Sequence, residues 1–408
     1  MKKNFKMKVN MLIIAALTAV AVSCNEEESE PVAVTGITVS PATHTLVVGE
    51  KLTLTSELSP AGATDTVVTW SSSAAGVASV DPLTGEVTAL TAGTATITAA
   101  SANNITGNCV VTVRTPDVYV AGYALGERVG EHVIKNTALR LWKNGVIQPM
   151  FDDTKNAWAN SVFVSDNDVY VAGYEMNAND TMVATLWKNG VAQPLTDGTN
   201  HAEAYSVYVS GNDVYVVGDI AFVATLWING VAQTLVDGFA ALSVYVSSND
   251  VYVAGEERSA EHGFHEKAKL WKNGAVVFSG DTYSTSAFSV FVSDDDVYVA
   301  GHDRAVATLW KNGVAQHLSD HKQSVARSVY VSGNDIYVAG EEYVNNVDVA
   351  TLWKNGEVQY LSDGTKYATA NSVYVLGNDV YVAGEEIVGG LATAKLWKNG
   401  IEQPLAVT

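Results

Sequence analysis

The chain is poor in cysteine, in positive charge and in long apolar runs, and each shortage narrows what it can be. Its 408 residues hold two cysteines, Cys24 and Cys109. Two cannot build a disulfide framework, and no zinc-ligand spacing exists. Lys and Arg number 24 against 44 Asp and Glu, a net charge of −20. A chain this acidic, with no basic cluster, is repelled by polyanions, so no nucleic-acid partner is expected. The same lack of a basic cluster argues against recognition of anionic lipid, and the acidity itself suits a soluble surface. The apolar run Met11–Val22 is too short for a comfortable membrane span. Gly-x-Ser-x-Gly, Walker and His-Glu-x-x-His patterns are missing. His262 and His265 share one loop with Glu261 and Glu266, but two histidines three apart are weak evidence for metal. No cofactor, no metal and no catalytic constellation are therefore expected.

What is present points to β-structure. Apolar residues make up 47% of the chain, and its 18 Tyr, 9 Trp and many Val suit pleated, half-buried surfaces. The first 24 residues read as a secretory signal: Lys2, Lys3, Lys6 and Lys8, then the apolar core, then Ala21-Val22-Ser23-Cys24. That ending resembles a bacterial lipobox, with Ala21 where the pattern usually has Leu. The resemblance implies lipidation of Cys24 and membrane attachment through acyl chains. The acidic stretch 25–33 reads as a flexible linker. Its Glu26-Glu27-Glu28-Ser29-Glu30 resembles a signal that sends lipoproteins to the outer face of Gram-negative bacteria.

Residues 34–114 carry short alternating runs between turn residues, the pattern of a β-sandwich. Ile37–Pro41, Leu46–Gly49, Val68–Ser72, Ala78–Asp81, Thr84–Leu90 and Ala92–Ile97 resemble the bacterial Ig-like group 2 domain. In that family the domain is usually a spacer or adhesive module. Trp70 reads as core.

Residues 115–408 are repetitive. Val-Tyr-Val-Ala-Gly or a near variant starts at Val118, Val169, Val214, Val251, Val297, Ile336 and Val380. Leu-Trp-Lys-Asn-Gly or a near variant starts at Leu141, Leu186, Leu226, Leu270, Leu309, Leu352 and Leu396. Ser-Val-(Tyr/Phe)-Val occurs in six repeats, starting at Ser161, Ser206, Ser243, Ser289, Ser328 and Ser372. In the third repeat the spacing predicts strands at Ser206–Ser210, Val214–Gly218, Ala224–Trp227 and Val231–Leu235, with Asn229-Gly230 as a hairpin turn. Four antiparallel strands per repeat make a propeller blade. The expected class is all-β: an Ig-like sandwich followed by a seven-bladed β-propeller. The strand order resembles kelch-type blades, although the kelch double glycine is absent. The seven in-register tryptophans read as packing between blades. The first repeat lacks Ser-Val-Tyr-Val. Val110–Val113 stands at the matching distance before Val118, so it closes either the Ig-like domain or blade one, with preference for the former. A solenoid is disfavoured because no capping repeat is visible.

The loops after Val-Ala-Gly vary in length, and variable loops on a rigid scaffold carry binding sites. Glu256-Glu257, Glu341-Glu342 and Glu385-Glu386 fall at equivalent positions there and are candidate ligand contacts, as a ring about a channel mouth. Trp158, outside the tryptophan register, is the candidate stacking residue. Expected is a monomeric surface lipoprotein of the outer membrane that binds or scaffolds a glycan or protein partner through that face. A propeller-type glycan-degrading enzyme and a purely structural adhesin are the alternatives. Cys24→Ala should release the protein from the membrane fraction of the expressing cell, and retention there would exclude Cys24 as the anchor.

Overall fold

The computed structural model describes residues 30–406, apart from 125–127, 130–132, 135–136, 153, 260–264, 282–283 and 321–322. Cys24 and the signal segment lie outside the described residues. Every regular element described is a β-strand. The strands fall into two units divided between Thr115 and Pro116.

The first unit has β1 (Gly36–Ser40), β2 (Thr43–Val47), β3 (Lys51–Thr53), β4 (Thr55–Ser59), β5 (Val68–Ser72), β6 (Ala78–Val80), β7 (Glu86–Ala89), β8 (Gly93–Ser101) and β9 (Thr106–Arg114). One sheet runs β2-β9-β8-β5, with β2 parallel to β9; β3-β7-β6 and β1-β4 form the others. Alternation buries Cys109, Val111 and Val113 of β9 with Ile97, Val87 and Trp70. Gly85 sits at φ +73°, and a Cβ there would lie 2.8 Å from the Trp70 ring, so the turn and the indole require each other. Burial pushes the Cys109 thiol pKa up.

Val110–Val113 thus belongs to β9. Local chemistry explains why it does not turn back onto Tyr119. In six repeats the first residue of the corresponding turn takes positive φ: Asp166 (52°), Gly211 (57°), Ser248 (51°), Asp294 (52°), Gly333 (58°) and Gly377 (60°). In the first repeat that residue is Thr115, β-branched and followed by Pro116, which confines it to extended backbone.

In the second unit, repeats two to seven each form one four-stranded antiparallel sheet in chain order. Among the described residues, repeat one has Tyr119–Ala124, Ala138–Lys143 and Val146–Ile147, beside a short Arg128–Val129/Val133–Ile134 hairpin. The observed second strands outrun the expected ones. Asp213–Ile220, Asp250–Ser259, Asp335–Val344 and Asp379–Val388 all continue past the glycine. Glu256, Glu341 and Glu385 therefore stand on strands rather than loops.

Each repeated motif has a distinct task. In Lys-Asn-Gly, the Asn (φ 50–53°) and the Gly (φ 79–85°) make a type I′ turn. The Asn side chain also reaches back to the preceding hairpin. Its Oδ1 accepts from the first N–H of Val-Tyr-Val at 2.8–2.9 Å, and its Nδ2 donates to the Asp before it at 2.7–2.9 Å. The other oxygen of that Asp takes the Lys Nζ, for instance Lys311 to Asp296 at 2.6 Å, with the ammonium over the Tyr298 ring. Repeat three has Ile228 in place of this Lys and keeps the Asn229–Asp213 bond.

The tryptophans pack each repeat on the one before. Trp227 joins Tyr170, Ala172, Ala184 and Leu186 of repeat two, and Trp271 joins Leu226 and Leu235 of repeat three. The same pattern runs through every junction up to Trp397 on repeat six. Trp142 of repeat one packs on Leu396 and Leu405 of repeat seven, and its Nε1 donates to the Ala406 carbonyl at 2.9 Å. Replacing such a buried indole by Ala costs about 3–5 kcal/mol.

The first, or inner, strands, such as Ala202–Ser210, pack on one another from repeat to repeat. Each Ser Oγ of Ser-Val-(Tyr/Phe)-Val accepts from the Val N–H of the next repeat at 3.1–3.3 Å, from Ser161–Val207 to Ser328–Val373. Phe163, Tyr208, Tyr245, Phe291, Tyr330 and Tyr374 form a collar, neighbouring rings 4.7–5.0 Å apart. Every first strand carries a register shift just before its Ser, between Ala159 and Ser161 and likewise in the others. This bulge drives a carbonyl onto the glycine opposite. A Cβ on Gly173, Gly218, Gly255, Gly301, Gly340 or Gly384 would lie 1.8–2.1 Å from it. Gly301→Ala should lower the melting temperature sharply, by about 3 kcal/mol or more of stability, because backbone must move. A thermal melt within 1 °C of wild type would refute this account of the glycine.

Candidate functional site

Bulges re-aim side chains, and here they aim one per repeat to the same end of the sheets. The bulged residues are Asn160, Tyr205, Leu242, Phe288, Arg327 and Asn371. The Ala before and the Ser after them hardly vary, yet these six differ. The residue after the glycine varies too: Tyr123, Tyr174, Asp219, Glu256, His302, Glu341 and Glu385. Opposite it on the first strand stand Trp158, Glu203, Ala240, Ser286, Val325 and Thr369.

These positions touch within repeats and across their junctions. Trp158 stacks on Tyr174 at 4.9 Å and 16°, and Tyr123 of repeat one lies 6.3 Å from it, one-third exposed. Asn160 Nδ2 donates to Glu203 Oε1 at 2.9 Å in the next repeat. Tyr205 Oη donates to Asp219 Oδ1 at 3.1 Å, and the Phe222 N–H donates to its other oxygen. Ser286 Oγ donates to Glu256 Oε2 at 2.9 Å, again across a junction. Phe288 lies against His302. Arg327 grips Glu341 through Nε and Nη2, both at 2.6 Å. Burial, and after it the Glu385 carboxylate of repeat seven, push the Tyr123 hydroxyl pKa up.

The two glutamates of each expected pair part company, because neighbouring residues of a strand face opposite ways. Glu256, Glu341 and Glu385 join the varied positions. Glu257 pairs with Lys269 at 2.7 Å, Glu342 accepts from Tyr360 Oη at 2.9 Å, and Glu386 pairs with Lys395 at 3.1 Å, each within its own sheet. Asn160, Glu203 and Arg327 were not singled out by sequence. The signal for Asn160 and Arg327 is the unlike residue inside an otherwise uniform Ala-x-Ser; Glu203 stands one residue before that motif. Among the described residues, no group of three His, Cys, Asp or Glu is placed to hold a metal ion.

Burial dominates the electrostatics here. It pushes the carboxyl pKa values of Glu203, Asp219, Glu256 and Glu341 upward, against the hydrogen bonds they accept. It raises the Tyr174 and Tyr205 hydroxyls and lowers His302, so that imidazole is neutral at pH 7. At the opposite end, hydrogen bonds from Lys and Asn hold the exposed Asp168, Asp250, Asp296 and Asp335 below the usual carboxylate range. A carboxyl with a raised folded pKa costs stability as pH rises from its unfolded value through its folded one. Glu256→Gln should therefore melt higher than wild type near pH 7–8, and the difference should vanish near pH 4. A variant that melts lower at neutral pH would show that ionised Glu256 is stabilised rather than strained by its surroundings.

Comparison with known proteins bears on the first unit. Residues 33–113 match the bacterial Ig-like domain (group 2). An Ig-like virion protein of Serratia phage KSP90 is 48% identical over 83 residues, 20% of this chain and 32% of that protein. An uncharacterized protein of Clostridium acetobutylicum is 36% identical over 118 residues, 28% of this chain and 12% of that protein. The chain thus spans a third or less of these curated relatives. Among solved structures, the β-propeller domain of the Trilobed protease from Pyrococcus furiosus aligns with 78% of this chain and 93% of its own, at 13% identity and a TM-score of 0.40. Through residues 33–113, then, the chain carries a group 2 bacterial Ig-like domain.

Proposed function

We propose that the second unit is a closed seven-bladed β-propeller whose varied end binds a glycan, on an exported, lipid-anchored protein with the Ig-like domain as spacer. The observation that carries this reading is the division of labour inside the repeats. The turns, tryptophans and inner serines are nearly uniform, while the bulged and post-glycine residues differ from repeat to repeat. Uniform positions build the scaffold; varied ones at a shared end suit recognition. An aromatic group (Tyr123, Trp158, Tyr174) with the buried carboxyl of Glu203 near it, and Asp219 and Glu256 at the same varied positions of later repeats, suits a sugar, whose C–H face stacks on rings while hydroxyls donate to carboxylates. Packing of Trp142 on Leu396 and Leu405 supports closure. A role outside the cell fits the Ig-like domain and the virion-protein relative.

The test is a glycan array with the chain lacking its first 24 residues. Selective binding that falls about tenfold or more in Tyr123→Ala and Trp158→Ala is expected, the size of one lost stacking contact. A blank array together with a specific protein partner from pull-down would overturn the sugar reading. Cleavage of a bound glycan would replace binding by hydrolysis.

A further inference from the structure

Among the described residues, repeat one has no inner strand, and the surroundings of that place keep the features that an inner strand requires. Tyr119–Ala124 pairs on one edge only, with Ala138–Lys143. Gly122 stands where six other repeats have a glycine crowded by a bulged carbonyl, yet a Cβ on Gly122 would meet nothing nearer than the Trp142 ring at 3.5 Å. On one side of the gap, Val164 is 37% exposed, whereas Val209, Val246, Val292, Val331 and Val375 at the same position are 5–8% exposed. On the other side Tyr374 is 53% exposed, as the open end of the aromatic collar. Ala383 and Ala394 are partly exposed, where Ala172 and Ala184 are fully buried. All this exposure surrounds one strand-sized place.

We propose that an extended segment of a partner protein completes repeat one by adding as its inner strand along Tyr119–Ala124. Strand addition to an open edge gives affinity through main-chain hydrogen bonds and specificity through alternate side chains. The six inner strands already present define the occupant's chemistry, because its place continues their interface. It carries Ser-Val-(Tyr/Phe)-Val preceded by a small residue. Its serine accepts from the Val162 N–H, as Ser161 does from Val207. Its aromatic ring lies between Tyr374 and Phe163 and covers Val164. Its valines bury against Ala383 and Ala394. The chain's own Val110–Val113 is a poor substitute. It has Val110 and Thr112 where the serine and the aromatic belong, and Val111 and Val113 are buried in the Ig-like core.

The test uses the full chain and a fluorescein-labelled synthetic peptide with the sequence of Ala202–Ser210, followed by fluorescence anisotropy. Saturable one-to-one binding is expected. Gly122→Ala is the discriminating variant. Its methyl group is in ordinary contact in the free protein but would lie about where the added carbonyl must go. It should keep the wild-type melting curve and weaken the peptide by about tenfold or more, as should Asp in the peptide at the position of Tyr208. No saturable binding, or equal affinity for Gly122→Ala, would overturn the proposal. So would a dimer of the full chain that Gly122→Ala abolishes, since the donor would then be a second copy.

Discussion

One asparagine per repeat holds the second unit in register. Its backbone supplies the left-handed conformation that a tight hairpin requires, and its amide bridges to the Val-Tyr-Val strand and the Asp before it. A single side chain thus fixes both the turn between strands three and four and the end of strand two. The Lys–Asp pair and the Lys–Tyr contact added to it are exposed, and exposed pairs contribute little energy. Repeat three shows the hierarchy, since Ile228 removes the lysine and the Asn229 bridge remains. With that end pinned, the inner strand can bulge at the other end without losing alignment, and the bulge is what presents the varied residues.

Much of this was legible in the sequence. Repeat number, strand order, the Asn-Gly hairpins and the packing role of the tryptophans follow from spacing and from the conformational freedom of Asn and Gly. The Ig-like segment was readable from its run of short motifs. The second strands run longer than their spacing predicts, because the glycine does not end them. In the fold that glycine continues the strand under a bulged neighbour, and a bulge is a relation between two strands that neither sequence states alone. For the same reason Asn160 and Arg327 went unremarked, and the adjacent glutamates were read as one cluster although strand alternation separates them. Thr115-Pro116 did carry a signal: no such pair makes the turn that the other repeats use.

The two ends of the repeat unit differ in electrostatic character as well as in variability. At the turn end, carboxylates are exposed, paired and easily ionised. At the varied end, carboxyls are buried and resist ionisation, so their charge responds to small changes in what covers them. Exclusion of water there shifts these groups toward the protonated form and donated hydrogen bonds shift them back, so occupancy and proton binding are coupled.

The junction between repeats seven and one is made differently from the rest. Among the described residues it has no serine bridge, and its buried cluster holds Val120, Trp142 and Leu396 with partly buried neighbours. In the closed ring proposed above, this junction is the weakest seam. Sub-global opening should begin there, which places amide protons of Tyr119–Ala124 and Leu391–Lys398 among the first to exchange with solvent. Resistance of the whole unit to heat and proteolysis then becomes a matter of how fast this seam parts, a kinetic property set by a few side chains rather than by the summed packing of seven sheets.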